Sequence, residues 1–292
     1  MALGTKLGRL DHLTFKGNLK QTRYGWLRLT PAYSVHLVSD LLETDASTDS
    51  LVLDPFCGTG TTALLCAERG IACDTTDINP FLLWLTRAKT RSYGAHDLKA
   101  LDFSSARVSE AMMSENTNSP WIPAIHQVEK WWDEETLLCL GRGMAAIKAL
   151  EAELPETSVD LLKLAFCRTM IERANVSFGH QSMSFKKNGA VPVSLFSPSA
   201  LALQHWHGAV ANISSAALSP IASQPRAILC DARTLTPALD SDRYSCVITS
   251  PPYPNRMSYI RELRPYMYWL DFLRDGREAG ELDWQAIGGT WG

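Results

Sequence analysis

The sequence predicts a doubly wound α/β fold, and three observations carry that expectation. A short apolar segment, LVLDPF, is broken by Gly58-Thr59-Gly60 and continues into the helix-like TTALLCAERG. A second apolar segment, IACDTTDI (71–78), leads into NPFLLWLTRAKTRS, which has helical spacing. Two further strand-like segments, RAILCDA (226–232) and YSCVITSPPY (244–253), follow late in the chain. Strand, glycine turn, helix, strand, helix is the pattern of a parallel βαβ unit.

Taken in order, residues 1–29 are polar and basic without a clear period. LTPAYSVHLVSDLL (29–42) reads as a helix, with Pro31 in its first turn and Val35, Leu37, Val38, Leu41 and Leu42 as its apolar face. DASTDS is a turn cluster, the first strand covers 51–53, and Gly70 closes the helix after the glycine loop. From 98 to 220 the texture is helical. VEKWWDEETLLCLGRGMAAIKALEAEL, SVDLLKLAFCRTMIERANV and SALALQHWHGAVANISSAAL carry helical spacing, while SFGHQSMSFKKNGAVPVSLFSPSA is loop-like. This stretch is expected to be a helical insertion packed on the sheet, within a single domain over 1–292. RELRPYMYWLDFLRDG reads as a last helix.

The bulk numbers narrow the function classes. With 292 residues, 46% hydrophobic and 20% charged, the chain has ordinary globular composition. MALGTKLGRLDHLTF lacks the apolar core of a signal peptide, and no run of about 18 apolar residues occurs. A soluble, cytoplasmic protein without membrane contact is expected. The seven cysteines (Cys57, Cys66, Cys73, Cys139, Cys167, Cys230 and Cys246) form no CxxC pair, so reduced thiols are expected and no metal is implied. His205 and His207 flank Trp206 without acidic or thiol neighbours and read as helix surface. The net charge is −3, yet Lys6, Arg9, Lys16, Lys20, Arg23 and Arg28 crowd the start against Asp11. Arg256, Arg261 and Arg264 make a second basic group. Local positive charge of this kind can meet phosphates, or it can be a solvated face.

The loop Asp54-Pro55-Phe56-Cys57-Gly58-Thr59-Gly60 stands at a strand end. Its glycines allow a sharp turn and close approach of a ligand, and the helix behind it offers unpaired N–H groups. Asp77, ending the next strand, is placed to accept hydrogen bonds from ribose hydroxyls, as in nucleoside-cofactor sites. The third glycine of a dinucleotide fingerprint is missing, with Ala63 the nearest small residue. Asp54 at the loop's opening would repel a pyrophosphate but suits the ammonium of a methionyl tail. The implied cofactor is S-adenosyl-L-methionine.

Thr249-Ser250-Pro251-Pro252-Tyr253 ends another strand. An exocyclic amine is a poor nucleophile because its lone pair is delocalised into the ring. Acceptors for the amine's hydrogens let the nitrogen become more tetrahedral. The Ser250 hydroxyl and the Pro251 carbonyl suit that task, Pro252 fixes the carbonyl's direction, and Tyr253 offers a stacking face for an extruded base.

LDPFCGTGTT followed by TSPPY resembles the DNA amino-methyltransferases of restriction–modification systems, and the serine variant is similar to the cytosine-N4 members. The resemblance implies a Rossmann-like sheet in which Asp54, Phe56, Gly58 and Gly60 bind the methionine part of the cofactor. Asp77 would bind ribose, with Ile78 and Asn79 near the adenine, and Asp231 in ILCDAR would contact the adenine amino group. Thr30-Pro31-Ala32-Tyr33-Ser34 resembles the segment that lines the pocket ahead of the glycine loop. It also implies double-stranded DNA with a flipped base as substrate, and a cognate restriction enzyme or complementing polypeptide as partner. The glycine-rich ending AIGGTWG reads as the middle of a loop, so the sheet is expected to be incomplete: a fragment, a split enzyme or an inactive truncation. The rival functions are adenine-N6 or RNA amine methylation, and a catalytically inactive cofactor-binding subunit of a restriction or defence complex.

Other residues take a plainer reading. No cysteine follows a proline, so Cys57 and Cys246 are expected to be small buried residues rather than nucleophiles. Trp131, Trp132 and Trp206 are expected in the core. The loop Ser177–Gly189, with Phe178, His180, Gln181, Lys186 and Lys187, reads equally as a DNA contact or a solvated loop.

Overall fold

The computed structural model describes residues 18, 23–29, 32–114, 119–177, 183–186, 195–235, 239, 243–253 and 258–288. The expected α/β architecture is present. Helix α1 (Val35–Asp45) precedes strand β1 (Leu51–Asp54), helix α2 (Thr61–Arg69), strand β2 (Ala72–Asp77) and helix α3 (Pro80–Thr90). Helices α4 (Ala95–Met113), α5 (Glu134–Leu150) and α6 (Glu156–Glu172) follow. A short antiparallel pair, β3 (Val176–Ser177) and β4 (Ser184–Phe185), precedes helix α7 (Pro198–Ala217). The chain then returns to the sheet through β5 (Arg226–Leu229) and β6 (Cys246–Val247), and ends in α8 (Tyr259–Trp269) and α9 (Gly276–Gln285).

The main sheet has four strands in the order β5-β2-β1-β6, all parallel. Two apolar clusters flank it. One gathers Val38, Leu42, Val52, Leu64, Cys66, Cys73 and Ile248 beneath α1 and α2. The larger joins Phe81, Leu82 and Leu85 of α3 to residues of α4–α8, among them Leu101, Leu140, Phe166, Trp206, Tyr266 and Trp269. The central strands β1 and β2 are buried along most of their length, whereas the edge strands β5 and β6 are half-buried or exposed.

Several expected boundaries shift for physical reasons. Helix α1 starts at Val35 rather than 29, because Ser34 is its N-cap and accepts from the His36 N–H. Its buried face is Val35, Val38 and Leu42, whereas Leu37 and Leu41 lie outward. Strand β6 spans two residues rather than 244–253: the ladder ends with Ile248 N–H donating to the Leu53 carbonyl, and the prolines beyond have no N–H to give. Strand β5 stops at Leu229 because Asp231–Arg233 turns away. The loop-like stretch opens in β3 and holds β4, and α9 follows the expected helix RELRPYMYWLDFLRDG as a further helix.

Arg23 corrects the view of the N-terminal basic residues as one phosphate-facing group. It is fully buried, in a short 3-10 turn. Its Nη1 donates to the Lys89 and Arg91 carbonyls at 2.8 and 2.5 Å, and Nη2 to those of Ala217 and Ser219 at 2.6 and 2.8 Å. Nε donates to the Ala216 carbonyl at 3.3 Å. The fork thereby caps the C-terminal ends of α3 and α7 together, where carbonyls lack intrahelical partners and the helix dipoles favour a cation. The Trp26 and Tyr93 rings lie 5.5 and 5.3 Å from the guanidinium carbon. Lys6, Arg9, Lys16, Lys20 and Arg256 lie outside the described residues; Arg261 is exposed and Arg264 half-buried on α8.

Arg23→Met should therefore destabilise the fold severely. Stranding buried carbonyls costs about 1–3 kcal/mol each, so a loss above ~3 kcal/mol is expected. Urea unfolding would read it as a lower midpoint. Arg23→Lys should recover only part of the loss, because an ammonium cannot reproduce the planar fork.

Candidate functional site

Strand β1 lies between β2 and β6, so the chain leaves β1 on one side and returns on the other. Open parallel sheets bind ligands at such a switch point, in the crevice beyond the carboxyl ends of the strands. Four sequence-selected segments reach that edge. Asp54–Gly60 follows β1, Asp77–Asn79 ends β2, Asp231 follows β5 and Thr249–Tyr253 follows β6. Thr30 and Pro31 lie outside the described residues.

The glycine loop is shaped from below by α3. Gly58 and Gly60 have φ of 51° and 75°, in the left-handed region. A Cβ on Gly60 would also stand 2.5 Å from Thr86 Oγ1, so glycine is required there twice over. Thr86 meets the Cys57 thiol at 2.8 Å, and Lys89 Nζ donates to the Thr59 carbonyl at 2.9 Å. Lys89 is 2% exposed, and burial lowers its ammonium to about 8. Burial also pushes the Cys57 thiol up to about 12, so this cysteine is a buried thiol rather than a nucleophile. Gly60 caps α2 without a side-chain bond, which leaves the first-turn N–H groups facing the crevice end of β1.

Asp54 differs from expectation. It is 0% exposed, so it is closed to a ligand's ammonium. Its carboxylate accepts from Thr249 Oγ1 at 2.7 Å, the Phe56 N–H at 3.2 Å and the Tyr33 hydroxyl at 3.2 Å. Tyr33 also bonds the Thr62 hydroxyl at the start of α2. Burial raises the Asp54 carboxyl to about 6, while these hydrogen bonds pull it back down. Thr249, which precedes Ser250-Pro251-Pro252-Tyr253, is thus tied directly to the residue that opens the glycine loop.

Asp77 is half-buried and better placed for a ligand. It accepts from the Gly58 N–H at 3.1 Å and the Asn79 N–H at 2.9 Å. A carboxylate has about four acceptor positions, so capacity remains for ligand hydroxyls. Burial raises it to about 6. Phe56 and Ile78 are half-buried at the same edge. Asn79 is buried as the N-cap of α3, accepting from the Phe81 N–H at 3.0 Å. Asp231 is not bare: Arg233 holds it through Nε and Nη2, which keeps its carboxyl below the usual range. Arg233 also donates to the Gln285 carbonyl at 3.2 Å.

Beyond β6, Ser250 and Pro252 are half-buried, Pro251 is exposed, and Tyr253 is 64% exposed. The Tyr253 N–H donates to the Tyr259 hydroxyl at 2.7 Å. Ser258 Oγ, which caps α8, donates to Asp283 of α9 at 2.7 Å. Residue-by-residue reading of the motifs missed Thr86, Lys89 and Tyr259. Thr86 and Lys89 lie among other polar residues, Arg87 and Thr90, so the sequence does not single them out; only their bonds to the glycine loop do.

Trp132 and Trp206 are buried, and half-buried Trp131 stacks on Trp132 at 5.8 Å. His207 Nε2 meets the Ser109 hydroxyl at 3.1 Å. Phe178, His180, Gln181 and Lys187 lie outside the described residues. Among those described, no three His, Cys, Asp or Glu side chains gather into a metal set.

The raised Asp54 carboxyl has a pH consequence. Its ordinary value is 3.8 and its folded value about 6. Between these the folded chain keeps a proton that the unfolded chain has lost, so stability falls as pH rises through that window. Asp54→Asn keeps the acceptor atom without the buried charge. It should make the decline shallower and leave the melting temperature at pH 7 equal to or above that of the parent, read by calorimetry across pH 4–8.

No family model matches the sequence, and no solved structure matches it. Over 268 residues, 85% of this chain, it is 22% identical to proteins named Type II methyltransferase M.AvaI from Nostoc sp. (strain PCC 7120) and Anabaena variabilis. That alignment takes in 54% of each relative, so the chain spans about half the length of the curated relatives it resembles.

Proposed function

We propose that this chain is the catalytic part of a DNA methyltransferase that transfers a methyl group from S-adenosyl-L-methionine to the exocyclic N4 amine of cytosine. The observation that carries the reading is the meeting of the glycine loop and Ser250-Pro251-Pro252-Tyr253 at one switch-point crevice, joined by the Thr249–Asp54 bond. The likeness to proteins named Type II methyltransferases supports the same class of reaction. No described helix is long and apolar enough to cross a membrane.

The residues present fit the cofactor. The Asp77 carboxylate has acceptor capacity for ribose hydroxyls, the left-handed glycines let the backbone approach closely, and the α2 N-terminus suits the methionyl carboxylate. Gly58, Gly60, Phe56, Asp77 and Ile78 would hold it directly. Asp54 and Asn79 would act by shaping the loop and the start of α3, since neither side chain is open to the crevice. Asp231 would reach the adenine amine only by sharing its carboxylate with Arg233. When bound, S-adenosylmethionine supplies an electrophilic methyl group on a sulfonium.

The chain's own groups then act on the amine. The Ser250 hydroxyl and Pro251 carbonyl accept its hydrogens, which frees the lone pair, and Tyr253 stacks on a base drawn out of double-stranded DNA. The methylated amine nitrogen loses a proton to solvent, and the chain forms no covalent intermediate. A cognate restriction enzyme or a complementing polypeptide is the expected partner, in the cytoplasm.

Incubating the protein with labelled cofactor and mixed DNA, followed by nucleoside mass spectrometry, should give N4-methylcytosine. Dominant N6-methyladenine would overturn the cytosine assignment, and no methylated nucleoside despite cofactor binding would favour an inactive subunit. Ser250→Ala should lower turnover more than cofactor affinity, because the lost acceptor works on the amine. Asp77→Ala should weaken cofactor binding roughly 10- to 150-fold by calorimetry, from charge-assisted bonds of about 1.5–3 kcal/mol.

A further inference from the structure

We propose that Thr249 and Tyr259 are positioning residues that clamp the amine-acceptor segment at its two ends, with Asp54 as the fixed anchor that sets this segment in register with the cofactor loop. The inference rests on the methyltransferase reading and says how its acceptors are held in place.

The backbone alone does not hold Ser250. The β1–β6 ladder is two residues long, and its last bond is Ile248 N–H to the Leu53 carbonyl at 3.1 Å. Pro251 and Pro252 have no N–H with which to extend it. Val247 on β6 is 58% exposed, and in the described sheet β6 pairs only with β1. What fixes the segment is therefore side-chain bonding at either end. On the near side, Thr249 Oγ1 donates to Asp54 Oδ1 at 2.7 Å. On the far side, the Tyr253 N–H donates to the Tyr259 hydroxyl at 2.7 Å, on the first turn of α8. Ser250, Pro251 and Pro252 stand between the two.

The near clamp also reaches the cofactor loop. Asp54 Oδ1 accepts both from Thr249 and from the Phe56 N–H, the first free backbone donor of that loop. Its other oxygen takes the Tyr33 hydroxyl, which also bonds Thr62 of α2. One sealed carboxylate thus sets loop, helix start and acceptor motif against one another. Misplacing an acceptor by about 1 Å can lower a rate about a hundredfold without touching ligand affinity.

The test uses the full chain with S-adenosylmethionine and DNA. Thr249→Val keeps the β-branched shape and loses the hydroxyl, and Thr249→Ser restores it. The Val variant should lose about a hundredfold in turnover while cofactor affinity by calorimetry stays within about threefold. The Ser variant should regain most of the turnover. Tyr259→Phe, which leaves the Thr249 bond intact, should show the same split and stands in should Thr249→Val fail to fold. Parent-like turnover in the folded variants, no rescue by serine, or affinity falling in step with turnover would overturn the clamp alone. A parent protein that binds no cofactor and transfers no methyl group would bring down the methyltransferase reading and the clamp with it.

Discussion

The candidate site depends on a carboxylate that never meets solvent. Asp54 lies at the end of the strand where the sheet's connectivity reverses, and each of its hydrogen bonds comes from a different segment of the chain. Burying a carboxylate is costly unless hydrogen bonds offset the lost solvation. The bonds from Tyr33, Phe56 and Thr249 offset part of that cost, and they hold only if the three segments stand in one arrangement. The energetic demand of one residue becomes a geometric demand on the whole crevice.

A second constraint keeps the platform beneath the crevice in place. Helix α3 supplies Thr86 and Lys89 to the underside of the glycine loop. Its own C-terminal end is joined by Arg23 to the end of α7, far along the chain. The Lys89 carbonyl that Arg23 caps belongs to the residue whose ammonium holds Thr59. The N-terminal segment, the helical layer and the loop are therefore linked through a single residue. The larger apolar cluster continues that linkage through Phe81, Tyr266 and Trp269.

Much of this architecture was legible in the sequence because it is written in local chemistry. Gly58 and Gly60 mark a turn that only glycine makes easily, Gly70 closes α2 in the left-handed region, and the helical spacing of NPFLLWLTRAKTRS gives α3. The roles of polar residues were less legible, because burial is a tertiary property. Arg23 reads as one more cation of a basic segment until two helix ends are seen to converge on it. Asp54 reads as a ligand because it opens a ligand loop, whereas its surroundings seal it. The last strand is shorter than its apolar composition suggests, because the β1–β6 ladder ends at Ile248 and Thr249 turns its hydroxyl to Asp54 instead.

The electrostatics of the crevice point in one direction. Burial raises Asp54 and Asp77 to about 6 and lowers Lys89 to about 8, so each of the three is pushed toward its neutral form. Lys89 lies beneath the loop, bonded to a carbonyl, and Asp54 is sealed by its donors, so Asp77 is the member of this trio left half-open at the rim. A carboxylate partly stripped of water and held by two backbone N–H groups gains from any further donor that arrives. Ribose hydroxyls are such donors, and a ligand that also carries a positive charge would add Coulomb attraction in a medium of low dielectric. Pyrophosphate would meet the opposite field, with the buried Asp54 behind the loop that would have to hold it. An acidic residue in the place of Asp77 is common to nucleoside sites, so it is Asp54 and the missing third glycine that set this loop apart from a dinucleotide fingerprint, and both favour a nucleoside without a pyrophosphate.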